Sequence, residues 1–286
     1  MDDDYRACRI AATRKISRGK ESIGAIMVNI AYNTSAIAAY FSTNRRRWDQ
    51  FYLSERHIIE EVASTRDGSL GTVLDVGCAC GGLGAALGKR YAVARYVGID
   101  INEQAIALAR GLTDITVPHD LLHGDIMRDT MLDGVQFDTV FNLSCADWNV
   151  DFGGILDASW ARVAPGGTMI ISLRLTAGPG ARGMDRSYQF IHYGDPAAMP
   201  VNAEKAAYVV LNVSEALAEL SRLGPEAVTG YGYWGPPSAT ARTPFHRLGF
   251  AVFAARKPPA GAELPSVADF ALRLPPDIWA FPADAP

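Results

Sequence analysis

The stretch from Thr72 to Asp100 constrains the fold more than any other part of the chain. Thr72-Val-Leu-Asp-Val76 is a short apolar run rich in β-branched residues, the pattern of a strand buried in a parallel sheet. Gly77-Cys-Ala-Cys-Gly81-Gly82-Leu-Gly84 follows, and Ala85 to Lys89 begins a helix. A second run, Arg95-Tyr-Val-Gly-Ile99, ends in Asp100. Strand, glycine-rich turn, helix, strand and terminal acid make this the first βαβ unit of a nucleotide-binding sheet. Glycines let the turn approach a ligand closely, because no Cβ stands in the way. The helix behind the turn aims its free N–H groups and positive dipole end at the same ligand. Asp100, at the tip of the second strand, is placed to accept two ribose hydroxyls.

A dinucleotide fingerprint would need glycine at the second position of G-x-G-x-x-G, where this chain has Ala79, and Asp75 on the first strand fits such a site poorly. Val73-Leu-Asp-Val-Gly-Cys-Ala-Cys-Gly81, taken with Gly98-Ile-Asp100, resembles instead the class I S-adenosylmethionine (SAM)-dependent methyltransferases. Their first motif is an apolar strand followed by D-x-G-C-G-x-G or a close variant. Ala79 departs from the commonest form and narrows the turn by one methyl group. The resemblance implies an α/β fold with a doubly wound, mostly parallel seven-stranded sheet, helices on both faces, and SAM as cofactor. It places Asp75, Gly77, Cys78, Ala79, Gly81, Asp100 and Ile101 at the cofactor, with Gly77 beside the methionine part and Asp100 on the ribose. Asp125 and Ile126, in His123-Gly-Asp-Ile126, correspond to the family's contact with the adenine amino group and the residue packed on the ring. Gly124 and Asp125 also suit a turn for conformational reasons alone. Asn142 and Leu143, at the exit of the fourth strand, complete the expected cofactor set. The resemblance covers roughly residues 60 to 258 and is strongest from 72 to 167.

Composition narrows the partners. The chain has 286 residues, 49% of them hydrophobic, enough for one large α/β domain with additions. A net charge of −4 and a pI of about 5.7 argue against a nucleic-acid substrate. Met1-Asp-Asp-Asp4 is acidic where a signal peptide would be basic. Gly24 to Phe41 is fairly apolar, but Asn29, Asn33, Thr34 and Ser35 interrupt it, which favours a buried or capping helix over a membrane span. Four cysteines suit a reducing compartment and not a disulfide scaffold. A cytoplasmic protein acting on a small molecule, with no membrane partner, is the expectation; self-association into a homo-oligomer is left open.

Residues 1–60 read as a helical N-terminal cap, 61–258 as the SAM-binding core, 177–212 as an insertion or lid after the fifth strand, and 259–286 as an extended tail. Arg6 to Lys20 and Arg45-Arg46-Arg47 are basic clusters, either solvated faces or anchors for an anion. Trp48-Asp-Gln-Phe-Tyr52 is similar to the aromatic segment that many small-molecule methyltransferases fold over the cofactor; Trp48, Phe51 and Tyr52 pack near the sulfonium or else serve as core. The third strand should fall near Thr113 to Leu122. Phe137 to Phe141 reads as the fourth strand, Thr168 to Leu175 as the fifth, and Val213 to Leu223 as a helix capped by Ser214. Ala227 to Trp234 and Phe250 to Arg256 form the terminal antiparallel pair. The fifth strand exits into Thr176-Ala-Gly-Pro-Gly180, without the Asp-Asn pair of metal-dependent catechol-type methyltransferases, so no catalytic metal is expected.

In-line methyl transfer demands an acceptor held near the methyl carbon, and a base if the acceptor is a hydroxyl or ammonium. The loop Asn142-Leu-Ser-Cys-Ala-Asp147-Trp148-Asn149 leaves the fourth strand beside the first, where chemistry belongs in a doubly wound sheet. It lacks the N-P-P-Y pattern of enzymes that methylate base amines. Asp147 is the first candidate for the base, with His192 and Tyr193 of the insertion as alternatives. Trp48, Tyr52, Trp148 and Arg174 are the expected acceptor contacts; the arginines point to an anionic acceptor and the aromatics to a flat or hydrophobic portion of it. Cys78, Cys80 and Cys145 converge on neighbouring strand ends, as small hydrophobes filling the turn or as a site for a soft metal. The leading function is methylation of a small polar metabolite, a sugar or natural-product intermediate. The alternatives are an RNA or protein methyltransferase using the basic N-terminal segment, and a SAM-binding protein without catalysis.

Overall fold

In the computed structural model, residues 32, 34–262 and 268–280 are described. The expected helices before residue 32 and the Arg6–Lys20 basic cluster lie outside the described residues. In chain order the elements are α1 (Ser35–Phe41), α2 (Leu53–Ser64), β1 (Ser69–Val76), α3 (Gly82–Leu87), β2 (Ala92–Asp100), α4 (Glu103–Ala109), β3 (His119–His123), β4 (Phe137–Asn142), α5 (Phe152–Ala161) and β5 (Val163–Thr176). Then come β6 (Tyr188–Phe190), β7 (Lys205–Ala207), β8 (Leu211–Asn212), α6 (Val213–Arg222), β9 (Ala227–Gly235), β10 (Ala241–Arg242), β11 (Leu248–Arg256) and β12 (Asp269–Arg273).

The main sheet runs β12-β9-β11-β5-β4-β1-β2-β3, with β8 paired to β5 beside that path. β1 is parallel to β2 and β4, β2 to β3 and β4 to β5, while β11 is antiparallel to both β5 and β9. Strand alternation decides which layer each side chain enters. Val73 and Ile170 go to one side with Ile58, Ile59, Leu83 and Ile106 of α2, α3 and α4. Their neighbours Leu74, Met169 and Ile171 go to the other, against Leu156 of α5 and Leu220 of α6. Both faces are therefore covered, which is why consecutive residues such as Val73 and Leu74 in β1 and Met169, Ile170 and Ile171 in β5 are all apolar.

Two expectations need correction. Among the described residues the sheet has nine strands, not seven, because β8 and β12 join it. β12 comes from the tail and pairs parallel to β9, where Gly230 and Gly232 leave room: a Cβ on Gly230 would lie 2.8 Å from Leu272 Cδ2, and one on Gly232 2.9 Å from Leu274 Cδ2. The cap of α6 is Asn212, not Ser214. The Asn212 side chain accepts the Ser214 N–H, and Glu215 returns a bond to the Asn212 N–H at 3.0 Å, so Ser214 already sits inside the helix.

A second, antiparallel sheet, β10-β6-β7, is built largely from residues 177–212. Ile191 and Ala206 pack with Ile37 of α1, and Val209 N–H donates to the Asp147 carbonyl at 2.9 Å. The insertion and the N-terminal segment thus meet over the loop that leaves β4.

Candidate active site

The carboxyl ends of β1, β2 and β4 and the loop after β3 open into one cavity of about 160 Å³. Its floor is the glycine-rich turn. Gly77, Ala79 and Gly81 adopt φ of +74°, +47° and +69°, the left-handed region that glycine tolerates and alanine enters only with strain. The Gly77 N–H bonds the Ile99 carbonyl at 2.9 Å, and Asp100 fastens the turn from β2. Asp100 Oδ2 accepts the Ala79 N–H and Oδ1 the Asn102 N–H, each at 2.7 Å. Burial raises the Asp100 carboxyl above its usual range, against the pull of these two amides. Asp75 is buried in the same wall and accepts the Tyr96 hydroxyl at 2.6 Å. Burial pushes it up to about 7. Asp125 accepts the Met127 N–H at 2.9 Å, and Ile126 and Ile101 add apolar surface.

Tyr32, Ile37, Phe41 and Arg45 form the opposite wall. Tyr32 Oη donates to the Trp148 carbonyl at 2.7 Å, Asn102 Nδ2 to the Tyr32 carbonyl at 2.8 Å, and Thr34 N–H to Glu204 Oε2 at 3.0 Å. These bonds lash the segment across the cavity. Arg46 bridges to Asp114 and donates to the Cys80 carbonyl, fixing the segment's end to the turn.

A larger cavity of about 530 Å³ adjoins the first and shares Phe41, Arg45, Ser144, Trp148 and Tyr193 with it. Asp147 lines it, buried, with Oδ2 3.2 Å from Arg174 Nε; Oδ1 has no hydrogen-bond partner among the described residues. Burial raises the Asp147 carboxyl, and Arg174 pulls it back. Arg174 also donates to the Asp147 carbonyl at 2.9 Å and stacks 3.7 Å above the Tyr208 ring, so it clamps the exit loop of β4 against β5.

Residues 73–167 match a family model described as a methyltransferase domain. That segment is a methyltransferase domain, and the chain around it has the class I fold of SAM-dependent methyltransferases. SAM is its cofactor. Among solved structures, the methyltransferase is similar to the N-terminal domain of EvdMO1 crystallised in the presence of S-adenosylhomocysteine (SAH) and D-fucose, at 13% identity and a TM-score of 0.51, over 72% of this chain and 84% of that one. The same domain with SAH bound gives 13% and 0.51, over 72% and 82%. At that identity the likeness concerns the fold. No curated protein matches the sequence. Among the described residues, no helix is long and apolar enough to cross a membrane.

The methyltransferase brings most of the sequence-derived residues to these two cavities. Asp75, Gly77, Cys78, Ala79, Asp100, Ile101, Asp125, Ile126 and Leu143 line the smaller one. Gly81 sits behind the turn as the cap of α3. Asn142 is buried below the floor, donating to Ser159 Oγ at 3.0 Å and accepting the Ala146 N–H at 2.8 Å, so it shapes the loop. Tyr52, Asp147, Trp148, Arg174, His192 and Tyr193 line the larger cavity. Trp48 lies elsewhere, donating to Glu60 and packed between Arg90 and Tyr91. Tyr32, Glu55 and Tyr208 join the walls without any local motif to mark them. Cys78, Cys80 and Cys145 are free, and burial pushes all three thiols up, which keeps them neutral. Among the described residues no group of His, Cys, Asp and Glu is arranged to hold a metal ion.

Proposed function

We propose that the methyltransferase acts on a small polar acceptor, of sugar or natural-product type, bound in the 530 Å³ cavity. The observation that carries this reading is the common wall of Phe41, Arg45, Ser144, Trp148 and Tyr193, across which a cofactor in one cavity faces an acceptor in the other. The volume suits a small molecule. The presence of D-fucose with SAH in a structural neighbour supports a sugar-like class.

The donor chemistry of the smaller cavity fits SAM. SAM supplies an electrophilic methyl group on a cationic sulfur. Asp75 lies by the turn as a counter-charge for the methionine ammonium. Asp100 keeps a free lone pair on each oxygen for the ribose hydroxyls, since each accepts one amide already. Asp125 and Ile126 take the adenine edge and face. Tyr32, Phe41 and Trp148 keep water from the reacting centre, and positioning supplies much of the rate. Asp147 accepts the proton that the acceptor hydroxyl gives up as it attacks; its raised carboxyl is a better base than an exposed one. Tyr193, on the common wall, orients the acceptor, while half-buried His192, 2.9 Å from the Asp195 carbonyl through Nε2, stands farther out.

Methyl-labelled SAM, offered with a panel of neutral sugars and glycosides, tests this by mass spectrometry of labelled products. Asp147→Asn should cut label transfer by about 10²-fold or more while leaving SAH affinity intact. Full activity in that variant would remove Asp147 from the role of base.

A further inference from the structure

The acceptor cavity carries two arginines, and both are already neutralised. Arg45 Nη2 lies 2.8 Å from Oε1 of the fully buried Glu55, and Arg174 Nε lies 3.2 Å from Asp147 Oδ2. Rings cover what remains: Arg45 sits over Phe51 and Tyr52 at 4.7 and 5.3 Å, and Arg174 over Tyr208 at 3.7 Å. Among the described residues these two cations and two anions are the Lys, Arg, Asp and Glu side chains that line the cavity, so their fixed charge sums to zero. An anion entering would lose its water with no free cation among the described residues to receive it, and drawing Arg174 toward it would strand a buried carboxylate. The arginine content that pointed to an anionic acceptor is therefore consumed inside the protein.

Three buried atoms on the same wall lack partners among the described residues: Asp147 Oδ1, Trp148 Nε1 and Tyr193 Oη. Buried polar atoms are nearly always hydrogen-bonded, so these mark what a ligand must bring. Asp147 needs a donor, Trp148 an acceptor, and Tyr193 takes either; a hydroxyl group offers both. Tyr40, Tyr233 and Phe250 add ring faces against which a sugar or aromatic ring can lie.

We infer that this cavity selects an electrically neutral, hydroxyl-bearing ring, a glycoside-like acceptor, and rejects the carboxylate or phosphate counterpart of the same ring. This deepens the proposed function and rests on the larger cavity being the acceptor site.

A matched pair decides it. Phenyl β-D-glucoside and phenyl β-D-glucuronide differ at one carbon, which carries a hydroxymethyl in the first and a carboxylate in the second. Calorimetry on the full-length protein saturated with SAH should give at least about tenfold tighter binding of the glucoside. Glu55→Gln leaves the Arg45 charge uncompensated and should shift the ratio toward the glucuronide by about tenfold or more. If that variant does not fold, the wild-type ratio still decides. Equal or tighter glucuronide binding, or no saturable glucoside binding by a protein that binds SAH, overturns the inference. A separate SAH titration distinguishes the two readings, because loss of SAH binding speaks against the cofactor site and not against the acceptor cavity.

Discussion

At the scale of single residues, backbone strain gathers where the ligands belong. Arg45, Ala79 and Ser144 have φ of +55°, +47° and +51°, and all three line the cofactor cavity; Asp67, at +52°, lies in the turn before β1. Residues without a glycine's freedom pay for that region, and such outliers collect at functional sites. Ala79 stands where the family motif commonly has glycine, and its strain gives a direct test. Relief of about 1–2 kcal/mol is offset by roughly 0.5–1 kcal/mol of glycine's chain entropy. Ala79→Gly should therefore raise Tm slightly, by about 1–3 °C in a domain of this size, with SAH affinity unchanged. A lower Tm by calorimetry would mean that the methyl group packs productively. Asp75 gives a pH test. Its carboxyl titrates near 7 in the folded protein against 3.8 ordinarily, so the folded state holds a proton that the unfolded chain has released. That contribution is fully present below about 4, declines as pH rises, and is gone above about 7. Binding of a ligand ammonium beside Asp75 must expel the proton, so the ligand gains where stability is lost. SAH affinity should rise up to about tenfold from pH 6 to pH 8. Asp75→Asn should flatten that rise, and an unchanged profile in the variant would place the titrating group elsewhere.

Among the described elements, Tyr32 and α1 close the cofactor cavity. Their hold depends on bonds to partners far along the chain, Trp148 and Glu204 among them. Tyr32→Phe removes one bond and leaves the Trp148 carbonyl unpaired, a loss of about 0.5–1.5 kcal/mol. SAH release in stopped flow should quicken by roughly two- to tenfold; an unaltered rate would show that α1 does not limit release. These long-range bonds also explain what could be read in advance. The first βαβ unit was legible because its determinants, Gly77, Gly81 and Asp100, act within thirty residues of one another. Asp147 and Arg174 were legible as candidates because strand ends locate chemistry in this topology. The placement of Trp48 was not, since an aromatic residue carries no mark of which surface it will cover, and here Arg90 and Tyr91 claimed it. The pairing of Arg45 with Glu55 was equally hidden, because ten residues separate them and the cap of α2 brings them together. The Asn212 cap was missed by two positions, with Ser214 an equally suitable residue type nearby.

For the whole molecule, the last described strand raises the question of how far stability and function are coupled. β12 extends the sheet at β9, Ile278 is fully buried against Gly249, and Arg273 and Asp277 tie the strap to Glu61 and Arg247. Five strand spacings separate β12 from β1 along the sheet, roughly 24 Å at ~4.8 Å each. The cofactor turn and Asp100 lie beyond that distance, while Tyr233 and Phe250 of the acceptor wall belong to strands next to the strap. Removing residues 263–286 should therefore separate two properties. The loss of Ile278 alone costs about 2–5 kcal/mol, as other buried aliphatic deletions do, so Tm should fall by more than about 5 °C. The bare β9 edge, with its Gly-Tyr-Gly-Tyr face, should also promote self-association, visible as a concentration-dependent mass by light scattering. SAH affinity should stay within about threefold of the full chain, because β1 and β2 keep every neighbour they had. If instead SAH binding collapses in a truncated protein that is still folded by circular dichroism, the strap governs the cofactor site across the sheet, and the separation drawn from strand order fails.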